Sequence, residues 1–508
     1  MTETTPYQTP LPRPRAIAAS GHPLVSQVAI DILDQGGNAF DAIVAAGFVS
    51  TIAEPTLTSL GGGGFLLTRP CNQAPTIFDF FTNTPGLGLN TSELEPHFFP
   101  VTVSFAGSDQ DFNIGLGSVA VPGTLKGLLH VHDRLGRLSL KKILTPAIHA
   151  ARTGVPLSRH QGYFHTLLRP ILSLSRRSRR LYSPGGRLLG TGELFYNHEM
   201  ANFLEELSQN KGRTFYEQPM ARQIEQEMET MEGLLTAADL THYQVLERQP
   251  LRGGYRTMEF LSNPDPSLGG TLICQALQEL EKHSMEGLDP LSPDYLMIHA
   301  QVQLAVDEHR LRLRTDPSAT RTFSRGTTHI SIVDQEGNVA SMTNSNGEGS
   351  GYIAPGCGVM LNNMMGEDDL HPDGFHCSPP GIRVSSMMSP SLLLENNQVR
   401  LVIGSGGSKR IRTAISQVIT LVIDCGMGVQ EAIDFPRLHW DGTVFQVEPG
   451  FSRATLSSLK RLGPVNEWSE KNVYFGGVHA VAPGLDGGAD PRRGGAVRMQ
   501  PVPQGLSS

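Results

Sequence analysis

One short stretch limits what this chain can become: Arg325-Gly326-Thr327-Thr328-His329-Ile330-Ser331-Ile332-Val333-Asp334. After Gly326 the residues turn β-branched and apolar, and beyond Gln335-Glu336-Gly337-Asn338 a second β-rich run follows from Val339 to Thr343. That pattern predicts a hairpin with Thr327 opening its first strand. A hydroxyl residue after a glycine at a strand start is where a chain can cut itself. The threonine oxygen attacks the preceding carbonyl, and hydrolysis of the resulting ester frees a new N-terminus. The freed α-amine then serves as the base for its own hydroxyl. Its reference pKa of roughly 7.7 to 8.0 suits that task near neutral pH. Spacing alone does not choose between this chemistry and an ordinary turn leading into a strand.

The surroundings do choose. Thr327-Thr328-His329, Asp334 to Asn338, Gly349-Ser350-Gly351, Leu361-Asn362-Asn363, Ser385-Ser386-Met387 and Gly404-Ser405-Gly406-Gly407 follow one another in that order. Upstream stand Gly36-Gly37-Asn38-Ala39, Asp41-Ala42, Leu60-Gly61-Gly62-Gly63-Gly64-Phe65, Val121-Pro122-Gly123-Thr124 and Pro266-Ser267-Leu268-Gly269-Gly270; Asp490-Pro491-Arg492 comes near the end. In this order the motifs resemble the γ-glutamyltranspeptidase family over roughly Ala16 to Arg492. The resemblance implies an N-terminal-nucleophile hydrolase, built as a four-layered αββα sandwich in the α/β (α+β) class with an extra helical lobe from the N-terminal part. It also implies a precursor split into two subunits that stay together. The expected division is a disordered tail over 1–15, a large subunit over 16–326 and a small subunit over 327–508.

Composition narrows the remaining classes. A formal charge of -8 over 508 residues speaks against general nucleic-acid binding, and the sole dense basic cluster, Ser175 to Arg180, reads as a solvated surface loop. Five widely spaced cysteines form neither a metal pattern nor a disulfide framework. No run reaches the length of a membrane span, and Met1 to Arg15 is polar and proline-rich without an apolar core. The expectation is therefore a cytoplasmic protein; the resemblance implies neither metal nor organic cofactor, with a small amide or γ-glutamyl substrate and the chain's own cleaved half as partners.

Periodicity predicts a helix over Leu24 to Gln35, with Val25, Val28, Ala29, Ile32 and Leu33 on one face, and a second from Ala39 to about Ile52, capped by Asn38. The second is apolar nearly all round, so it should be buried on more than one side. Further helices are expected at Thr124 to Leu135, Leu140 to Arg152, Met200 to Lys211, Met220 to Met231 and Tyr295 to Leu313, with an accessible linker from Thr315 to Ser324. Beyond Thr327, strands are expected at Val359 to Leu361, Ser391 to Leu394 and Val399 to Ile403, then helices at Ile411 to Cys425 and Val429 to Asp434.

The resemblance assigns roles residue by residue. Thr327 is the implied nucleophile, and Ser345 matches the second hydroxyl residue, with Asn346 beside it, although the spacing of Thr343 to Gly347 differs from the usual pattern. Gly407 and Ser408 stand where the family often has two glycines in its oxyanion loop, and glycine-rich backbone can present N–H donors there. Ser385 and Ser386 match serines that hold the α-carboxylate of a γ-glutamyl donor, and Glu367-Asp368-Asp369 would hold its ammonium. Two departures stand out. Phe81 occupies the place of an arginine that grips that carboxylate, and Met364 the place of a glutamine. The segment from Asn363 to Ser385 is also shorter than usual, implying a small or missing lid, from which Arg383 could reach in. An acylase with another acyl group and an uncut, non-catalytic homologue are the alternatives.

Overall fold

Alternation fixes which way the central hairpin faces. In the computed structural model, which describes residues 16–90, 94–105, 108–217, 219–312, 326–367, 370–371, 374–483 and 486–500, the strands Thr327–Val333 and Val339–Ser345 pair with Thr327 opposite Ser345. Side chains two apart share a face. Ile330, Ile332, Ala340 and Met342 therefore enter a core shared with helices, whereas His329, Ser331 and Val333 turn towards a second sheet. The predicted hairpin is present, and its second strand runs two residues further than expected.

Seven antiparallel strands make the first sheet, in the order Ala496–Met499, Ile17–Ser20, Thr327–Val333, Val339–Ser345, Gly63–Arg69, Thr76–Phe80 and Leu246–Arg248. Six make the second: Asp486–Ala489, Gly477–Ala482, Gln398–Gly406, Ser391–Glu395, Met258–Ser262 and Leu251–Tyr255. The sheets lie face to face, with the central hairpin against Gln398–Gly406 and Gly477–Ala482. A polar seam runs between them: the buried His329 ring contacts Thr343 Oγ1 at 2.8 Å and Ser331 Oγ at 2.9 Å, and Ser331 donates to the His479 carbonyl at 3.1 Å. Burial, with His479 nearby, holds the His329 pKa well below its usual value, so the ring is neutral.

Helices cover both outer faces. Ala39–Ala53 is buried along its whole length, as its all-round apolar sequence requires, and Asn38 and Asp41 close a capping box at its start. It packs between the first sheet and the helices Pro23–Asp34, Thr124–Leu135 and Leu140–Thr153. Leu268–Glu281 and Arg410–Ile423 cover the second sheet. The layers are thus α, β, β, α, with His198–Asn210 and Met220–Thr230 stacked onto the first helical layer as the expected lobe.

Three local expectations fail. Val359 to Leu361 forms only isolated bridges, Ile353 with Met360 and Gly61 with Leu361, because Gly358 and the turn before it leave no ladder partner in register. The basic cluster is a helix, Arg176–Tyr182, rather than a loop: Ser175 and Ser178 form a capping box, and Arg177 is drawn into a pair with Glu227. The strand Gln398–Gly406 continues through Gly404-Ser405-Gly406, so the turn begins only at Gly407. The expected 1–15 tail and the 315–324 linker lie outside the described residues.

Candidate active site

The glycines around Thr327 explain why the junction can be so close. A Cβ at Gly326 would sit 1.6 Å from the Gly347 carbonyl oxygen, and one at Gly62 would sit 2.1 Å from the Ser345 carbonyl oxygen. Only glycine permits that approach. The start of the first strand, the end of its partner and the Gly61-Gly62 turn therefore converge on one point.

Ser345 is the hub of that point. Thr327 Oγ1 donates to Ser345 Oγ at 3.2 Å, the Gly347 N–H donates to the same oxygen at 3.1 Å, and Ser345 Oγ donates to the carbonyl oxygen of Gly326. The hydroxyl of Thr327 and the carbonyl of the preceding residue are thus held by one side chain. On the other side of the strand, Arg493 Nη1 donates to the Thr327 carbonyl at 2.9 Å.

A narrow cleft of about 20 Å³ opens beside Thr327. Its polar lining is Thr327, Ser345, Glu367, Ser386 and Ser408, and its apolar wall includes Phe81, Met364, Met387 and Ile411. Larger hollows exist, such as one of about 650 Å³ beside Arg176–Tyr182, but Arg177, Glu227 and Tyr352 there are bonded to one another. The smaller cleft is the one that contains the convergent hydroxyls.

The residues singled out from sequence separate here. Ser386 lines the cleft, whereas Ser385 does not: its hydroxyl donates to the Leu370 carbonyl at 2.8 Å. Asn346 is buried outside the lining, its backbone tied to Leu57 and Asn363. Glu367 faces the cleft; Asp368 and Asp369 lie outside the described residues. Ser408 lines the cleft in a left-handed backbone conformation with φ +53°, while Gly407, at φ +123°, packs against Gly476. The 363–385 segment contributes Met364, Glu367 and Leu370 to the lining.

Phe81 is 1% exposed, stacks on Phe65 with ring centroids 5.4 Å apart, and faces the cleft. Arg383 does not replace the missing arginine. Its guanidinium holds the Phe81 carbonyl, the Gln244 carbonyl at 2.9 Å and the Tyr243 hydroxyl, and pairs with Asp79, so it is spent on the backbone behind Phe81. Among the described residues lining the cleft there is neither arginine nor lysine.

Two charged residues near Thr327 went unnoticed in the sequence. Glu54, directly after the buried helix, accepts from Thr328 Oγ1 at 2.8 Å, and burial pushes its pKa up to about 7 against the opposing Thr328 hydrogen bond and Arg493. Arg493 is lowered to about 10, first by burial and then by Arg410. The signal for Glu54 was a lone acid closing an apolar run; for Arg493 it was the second arginine after Asp490-Pro491.

Comparison with known proteins gives a consistent picture. The family model for gamma-glutamyltranspeptidase matches residues 25–323 and 308–499. The glutathione hydrolase proenzyme of Escherichia coli K12 is 30% identical, with 95% of this chain and 91% of that protein covered. The acylase ACY 1 proenzyme of Pseudomonas sp. strain SE83 is 29% identical, covering 93% and 90%. Among solved structures, a cephalosporin acylase from Bacillus halodurans superposes with a TM-score of 0.80 over 98% of this chain and 99% of that one; at 24% identity it attests the fold.

Proposed function

The chain belongs to the γ-glutamyltranspeptidase family, a family of hydrolases and transferases, and from that premise we propose that it cuts itself before Thr327 and then acts as an N-terminal-threonine amidohydrolase. The observation that carries this reading is the Ser345 hydroxyl, which joins Thr327 Oγ1 to the Gly326 carbonyl oxygen. In the first step Thr327 Oγ1 attacks the Gly326 carbonyl carbon while Ser345 polarises the carbonyl. The C–N bond breaks, leaving an ester on Thr327 and a free α-amine, and water releases the Gly326 carboxylate. In later turnovers that amine takes the hydroxyl proton, a substrate acyl group forms an ester on Thr327, and water or an acceptor amine resolves it. The turn at Gly407-Ser408 is the source of backbone donors for the oxyanion.

The two pieces would remain associated because both sheets interleave them. Ile17–Ser20 lies between Thr327–Val333 and Ala496–Met499, and Met258–Ser262 pairs with Ser391–Glu395. Separation would expose the core of both sheets.

The acyl group we assign is one without a carboxylate, apolar or amine-bearing, because the cleft joins Phe81, Met364 and Met387 to a single described anion, Glu367. Hydrolysis of γ-glutamyl amides is the second reading; Glu367 and Ser386 in the lining favour it. Intact mass on a denatured sample tests the first step: two chains of 326 and 508 − 326 = 182 residues are expected, the smaller starting at Thr327, and Thr327→Ala should stay whole. A single uncut wild-type chain would place the protein in a non-catalytic class. A panel of γ-glutamyl, aliphatic and aromatic acyl anilides then ranks the two substrate readings.

A further inference from the structure

Behind the strand that begins at Thr327, on the face away from the cleft, lies a charged arrangement that the reaction as described leaves without a task. Thr328 shares its face with Ile330 and Ile332, and its hydroxyl donates to Glu54 Oε2 at 2.8 Å. Glu54 is 1% exposed, and its second oxygen, Oε1, has no hydrogen-bond partner among the described residues. The space is fully taken: a Cβ at Gly21 would lie 2.5 Å from Glu54 Oε2 and 2.9 Å from Thr328 Oγ1. A buried carboxylate with an unsatisfied oxygen destabilises a fold unless a charge or donor arrives to meet it. Self-cleavage would supply such a group one residue away, the α-amine of Thr327.

We propose that Glu54 is a positioning residue for this reaction, the counter-charge that acts beside Thr328 to hold the freed α-amine of Thr327 and set the pH at which it can serve as a base. The proposal rests on self-cleavage before Thr327. Buried charges are weakly screened, so a carboxylate held by the neighbouring Thr328 favours the ammonium form and raises the amine pKa. Arg493, on the Thr327 carbonyl, works in the opposite sense, and it is itself coupled to Arg410, Asp490, Glu54 and Glu348. Glu367 lines the cleft with the Thr327 side chain, and the buried His329 and His479 are neutral near pH 7. Of these groups Arg493 is the one coupled to Glu54 itself, so replacing Glu54 also removes a charge that favours the Arg493 guanidinium. Glu54 takes up its own proton close to pH 7, so in the intact site the two groups titrate as a pair.

The test compares wild type, Glu54→Gln and Glu54→Asp, each first checked by intact mass for the cut, by the pH dependence of kcat/KM on the best acyl anilide of the panel. Glu54→Gln should move the acidic limb to lower pH by about half a unit or more, and Glu54→Asp should restore it towards wild type. A cut Glu54→Gln enzyme whose acidic limb coincides with wild type would overturn the proposal. If Glu54→Gln stays uncut or misfolds, Thr328→Val is measured in its place. It removes the hydrogen bond that favours the carboxylate, so the limb should move in the same direction, and an unmoved limb again overturns the proposal. A wild-type chain that is not cut at all would instead sink the functional reading beneath it.

Discussion

Phe81→Arg is the change that most sharply separates the two substrate readings. The backbone at this position is pinned from three directions: its N–H donates to Asp79 Oδ1 at 3.0 Å, and its carbonyl accepts from Tyr243 at 2.6 Å and from Arg383. The substitution therefore exchanges side chains at a fixed point on the cleft wall. The loss is the stack on Phe65, about 0.5 to 1.5 kcal/mol, together with apolar burial that the arginine stem only partly replaces. In the free enzyme the new guanidinium has Glu367 as the described anion in the lining. With a γ-glutamyl donor bound, it can form a planar pair of hydrogen bonds to the α-carboxylate, and a hydrogen bond to a charged group is worth about 1.5 to 3 kcal/mol. That range corresponds to roughly a 10- to 150-fold lower KM for a γ-glutamyl anilide. Over the same change, kcat/KM for an apolar acyl anilide should fall, because the wall it packs on has become charged. The assay is steady-state anilide hydrolysis by the cut variant, with folding checked by thermal unfolding. A folded, cut Phe81→Arg enzyme with an unchanged γ-glutamyl KM would refute the reasoning, as would a wild type that saturates with γ-glutamyl donors at micromolar concentration.

Other consequences are as direct. Ser345→Ala should slow self-cleavage, since the Gly326 carbonyl loses its donor and Thr327 Oγ1 its acceptor, and Ser345→Thr should retain cutting; the fraction of uncut chain over time measures this. Ser408→Gly should leave turnover intact and not destabilise the fold, because a side chain at φ +53° costs roughly 1 to 2 kcal/mol that glycine avoids, and thermal unfolding reads the difference. Asp490→Asn should cost about 3 to 5 kcal/mol by leaving Arg437 and Arg492 buried without their shared anion. Burial alone would raise the Asp490 pKa, but Arg437 and Arg492 outweigh it and hold it well below the usual range. Its stabilising contribution is therefore complete above about pH 4 and is lost as pH falls further, so the wild type should weaken steeply in acid while Asp490→Asn shows a flatter acid limb in chemical denaturation.

How much of this was legible in the sequence varied with the kind of information required. Helices such as Thr124–Leu135 and Val429–Asp434 matched residue for residue, because an apolar stripe that starts directly after a glycine decides them. The extent of Gln398–Gly406 was misjudged because glycines read as a turn, whereas Gly404 and Gly406 are small for a different reason: Cβ atoms there would strike the His329 ring and the Thr327 carbonyl across the sheet interface. The serine pair 385–386 could not be separated from sequence either. Which of two adjacent hydroxyls faces a cleft depends on the path of that segment past Leu370, a tertiary property. Arg383 is the same lesson in reverse: a nearby arginine was visible, and its engagement with backbone carbonyls was not.

The same limit governs the central motif, where Gly326 is followed by two threonines with identical chemistry. Either hydroxyl could in principle be a nucleophile, but only one follows a glycine whose carbonyl is held by Ser345. Period-two alternation then sends the two side chains apart. Thr327 faces the cleft and meets Ser345, while Thr328 faces the helical layer and meets Glu54. A register slip of one residue would exchange these surroundings. That slip is opposed by Ile330 and Ile332, which would leave the helical core, and by His329, which would be driven into it and lose Thr343 and Ser331. The hydrophobic pattern downstream of the junction thus selects which threonine faces the cleft, although none of those downstream residues touches it.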